Sequence, residues 1–173
     1  MPQNVEIKAR CASPEKIHEI LQQQNARFIG VDRQVDTYFN VPEGRLKLRE
    51  GNIENQLIFY KRDNQSGPKK SEVLLYPFHQ NTTLKAILAA TNGVKVVVSK
   101  ERSIYFIHNV KFHVDSVAGL GTFMEIEAID RTDTISSEKL EEQCRFYMEL
   151  LKIEEADLVD VSYSDLLLTQ KKA

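Results

Sequence analysis

Arg45-Leu46-Lys47-Leu48-Arg49 places a cation at every second position of an apolar run. The same beat returns in Val5-Glu6-Ile7-Lys8, in Lys100-Glu101-Arg102 and in Met124-Glu125-Ile126-Glu127. Side chains of a β-strand alternate between its two faces, so each of these segments packs one face and collects charge on the other. The collected charge is of two kinds. The basic set suits a polyphosphate, and the acidic set offers the oxygen ligands that a hard cation such as magnesium accepts.

Working outward from Arg45, Pro42-Glu43-Gly44 is a turn signal behind a β-rich stretch from Phe28 to Asn40, which predicts a hairpin. Further strands are expected at 4–10, Gln56 to Arg62, Glu72 to Phe78, Val94 to Phe106, Val110 to Val117 and Thr122 to Ile129. Asp63 to Pro68 has the composition of a loop, and Ala118-Gly119-Leu120-Gly121 that of a tight link. Ser13-Pro14-Glu15 predicts an N-cap and a helix to about Gln24 with an apolar stripe of Ile17, Ile20 and Leu21. A second helix is expected over Thr82 to Thr91, ended by Asn92-Gly93. A third runs from a cap at Ser136 or Ser137 to Leu151, with Leu140, Cys144, Tyr147 and Leu151 on one side, and Asp157 to Leu168 reads as a last short helix. Consecutive strands with short links pair antiparallel, and a sheet this long closes to protect its edges. The expected fold is therefore α+β: an eight-stranded antiparallel β-barrel, or tunnel, with flanking helices, built as one domain over residues 1–173. With its charged faces turned inward such a barrel has no dry core, because unpaired buried charge costs several kcal/mol. It is a wet tunnel for an ionic ligand.

Composition removes several function classes. Lys and Arg number 23 against 25 Asp and Glu, for a formal charge of −2, so the basic residues are local clusters on a near-neutral chain and nucleic acid is not the expected partner. The basic strands also lack an aromatic stacking platform beside them. Cys11 and Cys144 have neither zinc nor redox spacing and read as reduced structural thiols. No segment reaches the roughly 20 apolar residues that span a bilayer and the first residues lack a leader pattern, so the expected location is cytoplasmic, with no membrane partner. The histidines His18, His79, His108 and His113 show no paired metal spacing. His113 alone shares a strand face with charged residues, Lys111 and Asp115, which puts it within reach of a tunnel. Gly119-Leu120-Gly121 is a hairpin turn; the strand-to-helix glycine fingerprints of nucleotide loops are absent.

The ordinary alternative for such alternation is a solvated sheet face. Parity argues against it at Lys100 and Arg102, since Glu101 points the other way and cannot neutralise them on their own side. Taken in order, Val5-Glu6-Ile7-Lys8, Asp36-Thr37-Tyr38-Phe39, Gly44 to Arg49, Lys100-Glu101-Arg102 and Asp115 through Gly121 to Glu125-Ile126-Glu127 resemble the CYTH superfamily of triphosphate tunnel metalloenzymes, with wording similar to its class IV adenylyl cyclase branch. The resemblance implies a tunnel that binds a triphosphate through Lys and Arg and a divalent metal, Mg2+ or Mn2+, through Glu. Carried over residue by residue, it implies metal ligation by Glu6, Glu125 and Glu127; catalytic roles for Glu6, Lys8, Glu125, Glu127 and Asp115; and substrate binding by Lys8, Arg45, Lys47, Arg49, Lys61, Lys100, Arg102 and Glu72. One departure stands out: the first acid of the family's opening Glu-x-Glu-x-Lys signature is Asn4 here, which brings no charge for a second metal ion. The implied activity is conversion of ATP to cyclic AMP and pyrophosphate. The alternatives are hydrolysis of thiamine triphosphate, a nucleoside triphosphate or inorganic triphosphate, and non-catalytic binding of polyphosphate or nucleotide. The partner is a small-molecule triphosphate, and the protein is expected as a monomer or homodimer.

Overall fold

The computed structural model describes residues 3–61, 64–65, 67–79 and 83–172. Eight strands form a closed barrel in the order β1-β5-β4-β3-β2-β6-β7-β8, every neighbour antiparallel. They are β1 (Gln3–Arg10), β2 (Arg27–Phe39), β3 (Arg45–Glu50), β4 (Gln56–Lys61), β5 (Lys69–Pro77), β6 (Val94–Ile107), β7 (Val110–Val117) and β8 (Gly121–Asp130). Short links make two meanders, β2 to β5 and β6 to β8. The two longest strands, β2 and β6, join the meanders on one side and β1 joins them on the other. Helices α1 (Pro14–Gln23) and α2 (Leu84–Asn92) make the longer connections, and α3 (Ser137–Leu150) and α4 (Tyr163–Lys172) follow the last strand.

The main hydrophobic core lies outside the barrel wall. Val5, Ile7 and Ala9 of β1, Val110, Phe112 and Val114 of β7, and Met124, Ile126 and Ala128 of β8 pack their outer faces on Ile17 and Leu21 of α1 and on Leu140, Cys144, Met148 and Leu151 after it. Because the side-chain period is two, burying these residues outside forces their neighbours Glu6, Lys8, Lys111, His113, Glu125 and Glu127 inside. A second cluster of Tyr38, Val96, Val98, Val117, Phe123, Val159 and Tyr163 closes one end of the barrel beneath α4. Cys11 and Cys144 are buried free thiols, and burial pushes the Cys144 thiol up to about 12.

Several local expectations differ from the structure. Ser13 occupies the cap position of α1 without a side-chain cap bond, leaving Pro14 as the start signal. Ser136 is the cap of α3 and accepts from the backbone N–H of Lys139 at 3.2 Å. Leu140, Cys144 and Leu151 are buried as expected, Met148 of α3 joins them, and the partly buried Tyr147 packs edge-on against Phe112 with ring centroids 4.9 Å apart. β5 begins at Lys69, ahead of Glu72, because Lys69 to Glu72 find partners along β1. The segment expected as one helix from Asp157 is a 3-10 turn at Glu155–Asp157 and then extended chain; helix resumes at Tyr163. Leu158 bridges Ala9, and the N–H of Val159 donates to the Lys8 carbonyl at 2.9 Å, so strand pairing holds what sequence periodicity assigned to a helix. Arg62, Asp63, Ser66 and Thr82, parts of expected elements, lie outside the described residues. No described helix is long and apolar enough to cross a membrane.

Candidate functional site

Inside the barrel one carboxylate organises the basic strands. Asp36 of β2 accepts from Arg49 Nε at 2.9 Å on one oxygen, and on the other from Arg49 NH2 at 2.9 Å, Lys47 Nζ at 3.0 Å and Lys100 Nζ at 2.8 Å. Register explains the convergence, since Asp36 lies opposite Arg49 of β3 while Lys100 of β6 pairs two residues away at Gln34. Burial opposes ionisation of Asp36, but Arg49, Lys100 and Lys47 outweigh it and hold its carboxyl well below the usual carboxylate range. Burial depresses Lys100; Asp36 pulls the other way, Arg49, Arg102 and Lys47 repel, and the ammonium is left at about 7.

The adjoining wall, from β6 through β7 and β8 to β1, is an acid-rich network. Arg102 of β6 forks onto Asp115 of β7 at 2.7 and 2.5 Å and reaches Glu125 of β8 at 3.1 Å. Tyr163 donates to Asp115 at 2.8 Å, and Lys8 lies 3.4 Å from Glu125 and 4.3 Å from the Tyr163 ring centroid. Burial would raise the Glu125 carboxyl, yet Arg102, Lys8 and His113 hold it well below the usual range. His113 Nδ1 is 3.0 Å from a Glu125 oxygen. Burial and the neighbouring Arg102 and Lys111 push the imidazole pKa down against the pull of Glu125. Farther along, Glu54 accepts from Arg49 at 3.1 Å and from Lys111. Asn4 donates to Glu127 at 2.6 Å, and Glu6 is the direct cross-strand partner of Glu127.

Apart from the buried Asp36 and Asp115, these groups line one cavity of about 700 Å³. Of the residues read from the sequence, the structure brings together on that cavity Glu6, Lys8, Lys47, Arg49, Lys100, Arg102, Glu125 and Glu127. Four others stand elsewhere. Lys61 is exposed on the outer face of β4 and pairs with Glu43 at 2.7 Å; its inward neighbours are Ile58 and Tyr60. Glu72 is likewise exposed, on the outer face of β5. Arg45 turns to the closed end of the barrel and pairs with Asp165 at 2.9 Å. Asp115 points inward but is buried against Arg102 and Tyr163 and does not line the cavity. The sequence analysis gave no site role to Asp36, Glu54, Lys111 or Tyr163. Parity could have found Lys111, whereas Glu54 precedes β4 in a loop fixed by the backbone N–H groups of Ile53 and Glu54 on Asp32, both 2.9 Å.

Among the described residues no three His, Cys, Asp or Glu side chains already converge as a metal cluster. The donor chemistry still fits a hard divalent cation at Glu6 and Glu127, paired carboxylates on neighbouring strands that both face the cavity. Glu125, the third acid of the expected set, is turned toward Lys8, Arg102 and His113.

The family model described as the CYTH domain matches residues 2–163. The chain belongs to the CYTH family. A relative from Methanocaldococcus jannaschii named "Putative adenylate cyclase" is 26% identical, covering 94% of this chain and 97% of its own length. Among solved structures, a "putative adenylate cyclase" from Vibrio parahaemolyticus superposes with a TM-score of 0.81 at 18% identity, over 95% of this CYTH chain and 97% of that one. A Hippeastrum "putative adenylyl cyclase" described as revealing a dominant triphosphatase activity superposes at 0.61 and 14% identity, over 98% and 96%. At these identities the two structures share the CYTH fold.

Proposed function

We propose that this CYTH protein is a metal-dependent enzyme acting on a triphosphate, converting ATP to cyclic AMP and pyrophosphate. One observation carries the reading: Lys8, Lys47, Arg49, Lys100, Arg102 and Lys111 project from four strands into a single cavity that also presents Glu6 and Glu127. Lys47, Arg49 and Lys100 bind phosphoryl oxygens in place of their shared partner Asp36, and Arg102, held by Asp115, presents its guanidinium in fixed orientation. Lys111 and Lys8 add charge from the adjoining strands, so the chain of phosphates is held along the tunnel and the reacting groups are positioned. Glu6 and Glu127 would hold the divalent cation, which when bound supplies Lewis-acid neutralisation of phosphoryl charge. Apolar Ile58, Val73, Leu74 and Leu75 line the same cavity and suit an organic end on the substrate. The M. jannaschii relative's name supports the cyclase reaction.

Hydrolysis of a nucleoside, thiamine or inorganic triphosphate is the second reading. Asn4 favours it by leaving the acidic wall one charge short, and so does the activity described for the Hippeastrum structure. A product-resolved assay with ATP, thiamine triphosphate and tripolyphosphate under Mg2+ and Mn2+ separates the two. Cyclic AMP with equimolar pyrophosphate is the expected result from ATP, and ADP with orthophosphate and no cyclic AMP selects hydrolysis. Glu127→Gln is expected to abolish either activity in a folded protein; full turnover in that variant rejects the metal site.

A further inference from the structure

His113 sits midway along β7 in the cavity wall, opposite Glu125 in the strand register, with its side chain 4% exposed. Its Nδ1 faces a Glu125 oxygen at 3.0 Å. An ionised carboxylate only accepts, so Nδ1 must be the nitrogen that carries the proton. Among the described residues no acceptor faces Nε2, and Arg102 and Lys111 stand beside the ring, so a second proton there would be unpartnered among cations and Nε2 keeps its lone pair. This Nε2 is buried and has no partner among the described residues. The neighbouring donors are committed elsewhere: Arg102 to Asp115 and Glu125, and Lys111 to Glu54. A buried acceptor flanked by cations and lacking a protein donor is a place for a donor that arrives with the cavity's contents. Phosphoryl oxygens do not meet that need, since they too are acceptors when ionised. A hydroxyl does.

We propose that Nε2 of His113 accepts a hydrogen bond from the hydroxyl group that attacks the bound triphosphate, the ribose 3′-hydroxyl in cyclisation or a water in hydrolysis, and so turns its oxygen lone pair toward phosphorus before any bond is made or broken. Glu125 is then the orienter of His113, fixing tautomer and ring plane, while Arg102 and Lys8 keep Glu125 ionised for that task. The inference rests on the triphosphate reading above and adds a residue that the family resemblance does not supply.

Two substitutions divide the ring into its halves. His113→Asn keeps an amide donor near the Nδ1 position for Glu125 and removes the distal acceptor; His113→Gln restores an acceptor near the Nε2 position. The expected result is a kcat lowered roughly 10- to 100-fold in His113→Asn, as for a misaligned reactant, with tripolyphosphate affinity by calorimetry unchanged and with partial recovery of kcat in His113→Gln. Nitrogen-15 spectra of the wild-type ring should show an unprotonated Nε2 that shifts when ATP and Mg2+ bind. Undiminished kcat in His113→Asn overturns the role of His113 alone. So does loss of tripolyphosphate affinity in step with kcat, which marks a wall-packing effect, or a proton found on Nε2 in the free protein. A wild type that neither binds tripolyphosphate nor turns over any triphosphate overturns this inference together with the reading beneath it.

Discussion

Asp36 holds three cations on a single carboxylate that is 1% exposed, and that imbalance leaves the basic wall with surplus positive charge. Removing one member of a buried ionic cluster costs more than the cluster contributes, because the partners stay buried without compensation. Asp36→Asn is therefore expected to lower stability by about 3–5 kcal/mol, read as a drop in the urea midpoint at constant slope. Lys100 shows the same imbalance from the other side. Its ammonium is brought to about 7 by burial and by Arg49, Arg102 and Lys47, against Asp36, so in the free protein near pH 8 it is largely neutral. A bound polyphosphate adds negative charge beside it and raises that value, so the complex holds more protons than its parts. Binding then takes up protons as pH rises above about 7, and affinity falls with pH until the raised value in the complex is passed. Calorimetry of tripolyphosphate in two buffers of different ionisation enthalpy measures the uptake. Lys100→Arg, permanently charged, should bind with the uptake gone, and uptake persisting in that variant would assign the proton to another group.

At the level of elements, the strands were legible because alternation carries two kinds of information at once, the strand itself and the face that is buried. Val110-Phe112-Val114 and Met124-Ile126-Ala128 fix the outside of β7 and β8, so Lys111, His113, Glu125 and Glu127 had to point in. The β4 and β5 residues gave no such signal. Their inward positions include Ile58, Tyr60 and Val73, and the charges at Lys61 and Glu72 belong to the solvent side, a parity that the family resemblance masked. The chain from Leu158 to Ser162 was illegible for a different reason: its order comes from long-range partners. Lys69, pointing inward on β5 and 2% exposed, donates to the carbonyls of Val159 at 3.2 Å and Asp160 at 2.7 Å, and Lys8 supplies the carbonyl that receives Val159. Lys69→Met leaves those buried carbonyls short of a charged donor and is expected to cost about 1–3 kcal/mol. Lys69 does not line the cavity, so tripolyphosphate affinity should be unchanged. Chemical denaturation and calorimetry on the same variant check both halves, and lost affinity would show that the segment beneath α4 shapes the phosphate site.

For the whole molecule, the consequence is a barrel turned inside out, with its apolar core between wall and helices and its ions in the lumen. The lumenal cations Lys8, Lys47, Arg49, Lys100, Arg102 and Lys111 are set against Asp36, Glu54, Asp115 and Glu125, with Glu6 and Glu127 beyond them. Buried pairs of this kind roughly break even against their desolvation, so the free barrel gains little stability from its own lumen. A ligand that binds only the folded barrel stabilises it by mass action, about 2.7 kcal/mol at a concentration 100 times Kd. For a chain of this size that corresponds to a rise in Tm of about 5–11 °C. Tripolyphosphate with Mg2+ should reach that range and orthophosphate should fall well short of it, since a single phosphoryl group cannot span the cations of several strands. Chelation of the metal should remove part of the rise and leave the part due to Lys and Arg. If tripolyphosphate raised Tm no further than sodium chloride at equal ionic strength, screening would account for the whole effect, and the lumen would be a packed ionic core with no ligand to receive.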